Sequence, residues 1–419
     1  MISPKDRFIQ ASGGGTRPAI ENDTFQFHIV DWDQRKVFLC FGVFAFKIDY
    51  EVEVEEEWID TIYDTLRTCV DDLPPDVWAL ELDSQYELRS LSTPPHFGDE
   101  RLAPFYPPLS KCPTLASAKT IRRSELVEQE RLAVLVDLCY YQTPTGRKQV
   151  NFKYDIIPEW VHRNYKEINI WHGLPPNPYI APFDRVVLDE VEDRVVGFTA
   201  NYITGGTWDS NAPALVKLQW FQQLMAAVDD LNLKYGVQHC DIHPRNILTD
   251  RASNKIQLID FDLALRLDSQ PYKPTRDDGV GAIFTLYEII TRDYSYRADQ
   301  WDYPDVKVVL EMEDWPLHPD VRLDHDLAVF RDGISSWLAE SGRSLNTTVE
   351  STDHQSNPWN PRLPGMSDGY QLWDHMEDLE RTGGYYVKWQ RPAQCKLVQG
   401  VEYCANGQVL QGNVPAVQD

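Results

Sequence analysis

The chain has 419 residues, of which 42% are hydrophobic, and its length predicts two domains or one domain with large additions. Its formal net charge of −25 argues against a nucleic-acid partner, which would require a basic footprint, and against an anionic membrane surface. Seven scattered cysteines and the lack of an apolar signal or membrane-spanning run predict an intracellular protein, cytoplasmic or nuclear, with reduced thiols.

Residues 1–120 predict an accessory region that contains β-strands. Segments rich in aromatic and β-branched residues predict paired strands, and an acidic run, expected to be solvated, precedes a segment with helical spacing. The strands are 24–30 and 36–47, the acidic run is 51–57 and the helix is 58–70. Prolines between 104 and 113 predict a linker. Nothing in this region indicates a chemistry, so its role stays open.

From about residue 124 the pattern changes to strands followed by helices. Pro158 suits the first turn of a helix that extends to Trp171. The predicted strands are 132–141, 148–154, 185–189 and 194–203, and the later helices are 214–233, 277–291 and 324–340. The tail contains a loop over 352–370, a short helix and an aromatic segment that begins at Tyr385. The role of the tail also stays open.

The strongest functional signal is the segment 238–248, Gln-His-Cys-Asp-Ile-His-Pro-Arg-Asn-Ile-Leu. Asp241 and Asn246 stand five residues apart, and Asp260 follows an apolar run fourteen residues later. Alone, either aspartate could cap a turn or end a strand. Together the residues resemble the catalytic loop and the metal-binding aspartate of the protein kinase-like superfamily, in a divergent, fungal-type Ser/Thr kinase-like form.

This resemblance implies an α+β, bilobal protein kinase-like fold, with a small β-rich N-lobe, a large helical C-lobe and an extra β-containing region before them. The predicted division is 1–120 for the accessory region, 124–345 for the kinase-like domain (N-lobe about 124–203, C-lobe about 207–345) and 346–419 for the tail.

The resemblance also implies ATP and Mg²⁺ as cofactors, with Mn²⁺ as an alternative ion, because phosphoryl transfer depends on positioning and on neutralisation of charge. Asp260 matches the principal metal ligand and Asn246 the second one. Asp241 matches the residue that accepts the proton of the acceptor hydroxyl. His239 matches a structural histidine of the loop, and Arg245 stands where tyrosine kinases place an arginine that could meet the γ-phosphate.

By the same resemblance, Lys153 is the lysine that binds the α- and β-phosphates, and Glu167 on the following helix is its partner. Lys148 and Glu159 are the alternative pair, and two unrelated charges on solvated faces are a third interpretation.

The order of the strands further implies a hinge at which Asn201, Tyr202 and Ile203 turn backbone groups towards adenine. Either Asp277 or Asp278 is expected to cap the helix 277–291 and to tie it to the catalytic loop.

The chain also departs from the family pattern. The segment 126–135 has no glycine where a glycine-rich loop is expected, and glycines are what let backbone amides approach phosphate closely. Cys240 replaces a regulatory arginine. Asp262 replaces the glycine of Asp-Phe-Gly and is expected to be a solvated bystander, with an extra carboxylate near the metal as the alternative. The segment from Asp260 to Asp277 is short for a peptide platform. His243 gives the loop a likeness to phosphotransferases of the aminoglycoside and choline kinase type.

The complete residue set favours an ATP/Mg-dependent phosphotransferase that acts on a hydroxyl acceptor, with protein Ser or Thr favoured. One alternative is a weak or inactive pseudokinase that serves as a binding scaffold, and another is a small-molecule kinase, in line with His243. His243 and Arg245 could also simply pair with backbone or surface carboxylates. The expected partners are a nucleotide and an unidentified protein or small-molecule acceptor. A further reading makes residues 1–120 an independent module that carries the specificity.

Overall fold

The structure is a computed structural model with an α+β fold. The described residues are 7–10, 24–43, 52–83, 85–92, 101–297, 302–341, 363–366, 373–398, 401–404, 407 and 409. The loop predicted over 352–370 therefore lies outside the described residues, except for 363–366. Among the helices that are described, none combines the length and the apolar character that a membrane span requires.

The N-terminal region is a five-stranded sheet with one helix. Its elements are β1 (Phe8–Gln10), β2 (Thr24–Asp31), β3 (Lys36–Val43), α1 (Val52–Cys69), β4 (Ala79–Leu82) and β5 (Leu88–Ser92). The strands follow chain order in the sheet, and β3 and β4 run parallel because α1 connects them. The β2–β3 pairing confirms the predicted hairpin. The helix, however, begins inside the acidic run, since the positive end of the helix dipole favours acidic residues in a first turn.

The small lobe is built on a six-stranded sheet. With the short strand that precedes it, its elements are β6 (Leu102–Pro104), β7 (Thr120–Arg122), β8 (Val127–Ala133), β9 (Val136–Thr143), β10 (Gly146–Tyr154), α2 (Val161–Gly173), β11 (Phe183–Leu188) and β12 (Val195–Asn201). The strand order is β7-β11-β12-β10-β9-β8. The single strand predicted over 132–141 is wrong, because the chain turns at Val134 and Leu135, where Leu135 has a φ of 64°.

The large lobe is mainly helical. Its elements are β13 (Leu215–Val216), α3 (Leu218–Asp229), β14 (Val237–Gln238), β15 (Ile247–Asp250), β16 (Lys255–Leu258), β17 (Leu265–Arg266), α4 (Asp278–Thr291), α5 (Lys307–Leu310), β18 (Arg322–Leu323) and α6 (Leu327–Ser341). The helix α3 starts later than predicted, since β13 pairs with β18. Every residue of α4 is buried, so this helix forms the centre of the lobe. The two lobes together make a bilobal protein kinase-like fold.

The tail packs against earlier parts of the chain. Its elements are β19 (Trp373–His375), α7 (Met376–Thr382), β20 (Cys395–Val398) and β21 (Val401–Cys404). The strand β19 pairs with β6.

The outer face of the small-lobe sheet is apolar and is covered by both the N-terminal region and the tail. Phe152 and Tyr154 of β10 belong to one buried cluster with Val30 and Trp32 of the N-terminal region and with Trp389 of the tail. Trp389 stacks on Tyr154 with 4.8 Å between ring centroids. A shared core of this kind argues against an N-terminal region that folds as a separate module.

Charged groups join the same three parts of the chain. Arg35, in the turn between β2 and β3, donates to the Tyr154 hydroxyl at 2.8 Å and pairs with the buried Asp137. The buried Asp33 pairs with Arg131 of β8 at 3.0 Å and accepts the backbone N–H of Cys395 at 3.0 Å. Because a buried charge that loses its partner is strongly destabilising, these contacts fix how the three parts dock.

Replacement of Trp389 by alanine is expected to lower the free energy of unfolding by about 3–5 kcal/mol, the usual loss for a large buried aromatic side chain. Urea denaturation followed by circular dichroism measures this loss. The exposed neighbour Lys388 provides the control, and Lys388→Ala should change stability by less than about 0.5 kcal/mol. Equal small losses for both variants would mean that the tail does not pack on the small lobe.

Candidate active site

A buried aspartate holds the catalytic-loop segment in place. Asp278, in the first turn of α4, accepts the backbone N–H groups of His239 and Cys240, each at 2.8 Å. Asn232 donates to the same carboxylate at 2.7 Å. Cys240 has a φ of 64°, a conformation that is costly for a residue other than glycine. The carboxylate therefore stabilises the strained turn that presents Asp241.

The adjacent Asp277 has a different task. Its side chain accepts the backbone N–H of Val280 at 2.8 Å and so caps α4. The sequence alone does not say which aspartate caps α4 and which one bonds to the catalytic loop. In the structure, Asp277 caps α4 and Asp278 bonds to the catalytic loop.

Asp241 is buried, and both of its carboxylate oxygens accept hydrogen bonds. Arg245 donates to Oδ1 at 2.8 Å and to Oδ2 at 3.0 Å. Arg276 donates to Oδ1 at 2.8 Å, and Asn246 donates its amide to Oδ2 at 2.6 Å. Arg276 is itself buried and also donates to the carbonyl of Cys240 at 2.7 Å. Two guanidinium groups and one amide therefore orient this carboxylate.

Arg276 is a site residue that the sequence analysis missed. It lies in the short segment before α4, which the buried Gln238 holds against the catalytic loop. The Gln238 amide donates to the carbonyls of Lys273 and Arg276 at 2.8 and 3.1 Å, and it accepts the Lys273 N–H at 2.8 Å. Only this tertiary packing brings Arg276 to Asp241, and no spacing rule in the sequence indicates it.

Lys153 lies between two carboxylates. Its Nζ is 2.9 Å from Glu167 Oε2 and 2.5 Å from Asp260 Oδ1. Burial raises the pKa of Glu167 to about 8, even though Lys153 opposes that shift. Burial also acts to raise the pKa of Asp260, but the Lys153 ammonium, together with His239 and the backbone N–H of Asp262, holds that pKa below its usual value. The structure thus brings together three residues that were selected from distant parts of the sequence.

The alternative lysine has a different partner. Lys148 pairs with Asp184 at 2.7 Å on the small-lobe sheet. The side chain of Glu159 lies outside the described residues.

The turn between β8 and β9 stands where the family has a glycine-rich loop. Lys153 is opposite Val136 in the register of β10 and β9, and the turn at Val134 and Leu135 immediately precedes Val136. A two-residue turn lacks the run of backbone N–H groups with which a longer loop cradles phosphate. In a phosphate site built on this turn, side chains would supply more of the contacts.

The predicted hinge follows β12. Asn201 ends that strand, and its backbone N–H donates to a carbonyl before β11 at 3.0 Å. Tyr202 and Ile203 come next and are half-buried. The two glycines that follow have φ values of 124° and 74°, which explains why glycine occupies both positions. That bond occupies the N–H of Asn201. The adenine contacts expected at Asn201, Tyr202 and Ile203 stay a prediction.

Phe261 fixes α2 against the catalytic loop. Its ring is fully buried and lies 5.1 Å from the Trp171 ring and 4.8 Å from the His239 ring, measured between centroids. Its backbone N–H donates to Glu167 at 3.0 Å. The His239 Nε2 lies 3.1 Å from the carbonyl of Ile259. The imidazole is therefore held by contacts within the protein.

Asp262 is not the solvated bystander that the sequence analysis expected. It pairs with Arg163 of α2 at 2.7 Å. Because Arg163 lies one helical turn before Glu167, both residues face the segment that contains Asp260. The pair adds a second connection between α2 and that segment.

His243 lies beside Asp241 in an environment of positive charge. Burial, together with Arg297, Arg245 and Arg276, lowers the pKa of His243 to about 2, so its imidazole is neutral. Its Nδ1 is buried and has no hydrogen-bond partner among the described residues. The alternative that Arg245 pairs with a surface carboxylate or with backbone is wrong, because its partner is the buried Asp241.

The residues present fit a magnesium ion that arrives with a nucleotide. Asn246 turns its amide nitrogen to Asp241, so its carbonyl oxygen is the atom left for an ion. With the carboxylate of Asp260, it offers the oxygen ligands that Mg²⁺ prefers alongside phosphates and water. Within the described part of the chain, no group of three or more His, Cys, Asp and Glu side chains could hold a metal ion by itself.

Residues 170–267 match a family model described as Phosphotransferase enzyme family. The chain is similar to Serine/threonine-protein kinase CHK1 of Saccharomyces cerevisiae, with 29% identity over 125 residues, 28% of this chain and 24% of that protein. It is also similar to Casein kinase II subunit alpha' of the same yeast, with 21% identity over 270 residues, 57% of this chain and 78% of that protein. A protein of Dictyostelium discoideum named as a probable serine/threonine-protein kinase is 23% identical over 252 residues, 52% of this chain and 38% of that protein. The chain thus spans less than two thirds of the length of the first and third of these relatives.

Proposed function

Because this chain contains a divergent domain of the protein kinase-like superfamily, we propose that it is an ATP- and Mg²⁺-dependent phosphotransferase, with Mn²⁺ as an alternative ion. It would transfer the γ-phosphate to a hydroxyl acceptor, with protein Ser or Thr favoured. The observation that carries this proposal is the Lys153 ammonium, which lies 2.9 Å from Glu167 and 2.5 Å from Asp260. A chain that had lost catalysis would not need to keep this arrangement.

The proposed nucleotide site lies between the lobes. Lys153 would bind the α- and β-phosphates, and Glu167 would hold its ammonium in place. Asp260 and Asn246 would hold the ion, which neutralises charge on the phosphate oxygens. The backbone of Asn201, Tyr202 and Ile203 would face the adenine.

The proposed acceptor site centres on Asp241, which would orient the hydroxyl and accept its proton. His239 supports the loop through its contact with the carbonyl of Ile259 and its packing on Phe261. Arg245 pairs with Asp241 and would therefore lie where the acceptor and the transferred group meet.

Two other functions have specific observations in their favour. The tight turn at Val134 and Leu135, in place of a glycine-rich loop, favours a pseudokinase scaffold. The short segment from Asp260 to Asp277 and the position of His243 favour a small-molecule acceptor, as does the match to a phosphotransferase family. The complete set of Lys153, Glu167, Asp241, Asn246 and Asp260 supports catalysis over the scaffold.

Turnover of ATP by the wild type and by Asp260→Asn tests the proposal. With Mg²⁺ or Mn²⁺, the wild type is expected to hydrolyse ATP or to phosphorylate itself, and Asp260→Asn should lose at least about 100-fold of that rate, because the ion loses a charged ligand. Asp268→Asn, which removes an exposed carboxylate from the same segment, is the matched control and should keep the wild-type rate. No turnover in any variant, with no nucleotide binding by thermal shift, would favour the scaffold instead.

A further inference from the structure

We propose that the acceptor carries a negative charge close to its hydroxyl and that Arg245 binds this charge. The inference rests on the proposed function, because it names the class of acceptor for the same site. That class is a hydroxyl compound with a phosphate or carboxylate group beside the hydroxyl, either as a small molecule or as a protein side chain next to an acidic residue.

The first observation is that Asp241 has no oxygen ready for an acceptor. Its Oδ1 accepts from Arg245 and Arg276, and its Oδ2 accepts from Arg245 and Asn246. A hydroxyl must reach one of these oxygens if Asp241 is to take its proton. One of the three donors must therefore move when an acceptor binds.

The second observation identifies Arg245 as the donor that moves. Its side chain is 51% exposed, whereas that of Arg276 is 5% exposed. Arg276 is also held by the carbonyl of Cys240 at 2.7 Å and by the Tyr303 ring, 4.7 Å from its guanidinium carbon. Asn246 is buried and donates a second hydrogen bond to the backbone carbonyl of Asp241 at 2.9 Å. Arg245 can turn towards solvent without disturbing the core.

The third observation concerns what Arg245 would bind after it moves. A guanidinium that leaves a carboxylate loses two charge-assisted hydrogen bonds, and water replaces them only in part. A phosphate or carboxylate on the acceptor can replace both bonds with the same geometry. With an anionic acceptor, Arg245 would exchange the Asp241 carboxylate for the anion of the acceptor. A neutral acceptor would have to separate Arg245 from Asp241 without compensation.

Local charge agrees with this exchange. The chain as a whole is acidic, with a net charge of −25. Around His243, however, the charged groups that act on the imidazole are Arg297, Arg245 and Arg276. Glu288 pairs with Arg297, and Asp241 is shared by the other two arginines. Two guanidinium groups with one carboxylate between them leave an excess positive charge that attracts an anion.

Matched acceptors that differ by one charged group test the proposal. The small-molecule pair is glycerol 3-phosphate against glycerol, and the peptide pair is a serine peptide with flanking glutamate against the same peptide with glutamine. With wild-type protein and Mg·ATP, kcat/KM for the charged member of at least one pair is expected to be about tenfold higher or more. The pair that shows this preference identifies the source of the hydroxyl.

The variant Arg245→Gln should reduce this preference to within about twofold, because glutamine keeps a polar group but not the charge. Arg266→Gln, which removes an exposed arginine elsewhere on the large lobe, should retain it. Equal kcat/KM for both members of both pairs in the wild type would overturn the proposal. A preference that survives in Arg245→Gln, or a variant whose defect is confined to the KM for ATP, would overturn it as well, since Arg245 would then act on the nucleotide.

Inorganic phosphate, titrated by calorimetry without nucleotide, provides a readout that does not need catalysis. Wild-type protein is expected to bind phosphate, and Arg245→Gln should bind at least about tenfold more weakly. Binding with this dependence in a protein that transfers no phosphate would support the anion site and contradict the proposed function. Absence of binding to the wild type would overturn the anion site, whatever the outcome of the transfer assays.

Discussion

Replacement of Asp241 by asparagine is expected to slow phosphoryl transfer by about 10²–10⁴-fold and to leave nucleotide affinity unchanged. Asparagine has nearly the same shape as aspartate, but its amide cannot take the proton of the acceptor hydroxyl. The hydrogen bonds of Asp241 go to two arginines and to Asn246, whereas Lys153 pairs with Glu167 and Asp260. Single-turnover transfer from labelled Mg·ATP measures the rate, and titration with ATP measures the affinity.

The matched control is Asp250→Asn. Asp250 lies at the turn between β15 and β16 and accepts the backbone N–H groups of Ala252 and Ser253, away from the loop that carries Asp241. Its rate should stay within about twofold of wild type, as for an ordinary surface substitution. If Asp241→Asn transferred phosphate at the control rate, the role assigned to Asp241 would be wrong.

The part of the site that lies in one stretch of chain is predictable from the sequence. Asp241, Asn246 and Asp260 fall within 20 residues, and their spacing between apolar residues is distinctive. The contact of Lys153 with Asp260 spans 107 positions, so its prediction needed the resemblance to a known fold. The role of Arg276 cannot be predicted from the sequence, because its contact with Asp241 depends on a short segment that Gln238 holds in place through tertiary hydrogen bonds.

The fold shows the same limit. Alternation of apolar residues predicts the β2–β3 hairpin, since both strands depend on local periodicity. The docking of the N-terminal region depends instead on contacts such as that of Asp33 with the backbone of Cys395, 362 positions away. The turn at Leu135 escaped prediction for another reason. Leucine has no preference for positive φ, so only the pairing of β8 with β9 forces that conformation.

Replacement of Asp278 by alanine is expected to lower the free energy of unfolding by about 3 kcal/mol or more. Two buried donors, the N–H groups of His239 and Cys240, and the half-buried amide of Asn232 would lose their acceptor, and each unsatisfied buried donor costs about 1–3 kcal/mol. The strained turn at Cys240 would also lose the bond that stabilises it. Urea denaturation followed by circular dichroism measures the loss.

The neighbouring variant Asp277→Ala separates this effect from helix capping. It also replaces an aspartate by alanine, one residue earlier. It removes the hydrogen bond from the Val280 N–H that caps α4, which is worth about 1 kcal/mol. A loss of similar size in both variants would mean that Asp278 contributes no more than its place at the start of α4. If Asp278 instead supports the catalytic loop, its variant should transfer phosphate more slowly than Asp277→Ala at temperatures where both remain folded, because the turn at Cys240 sets the position of Asp241.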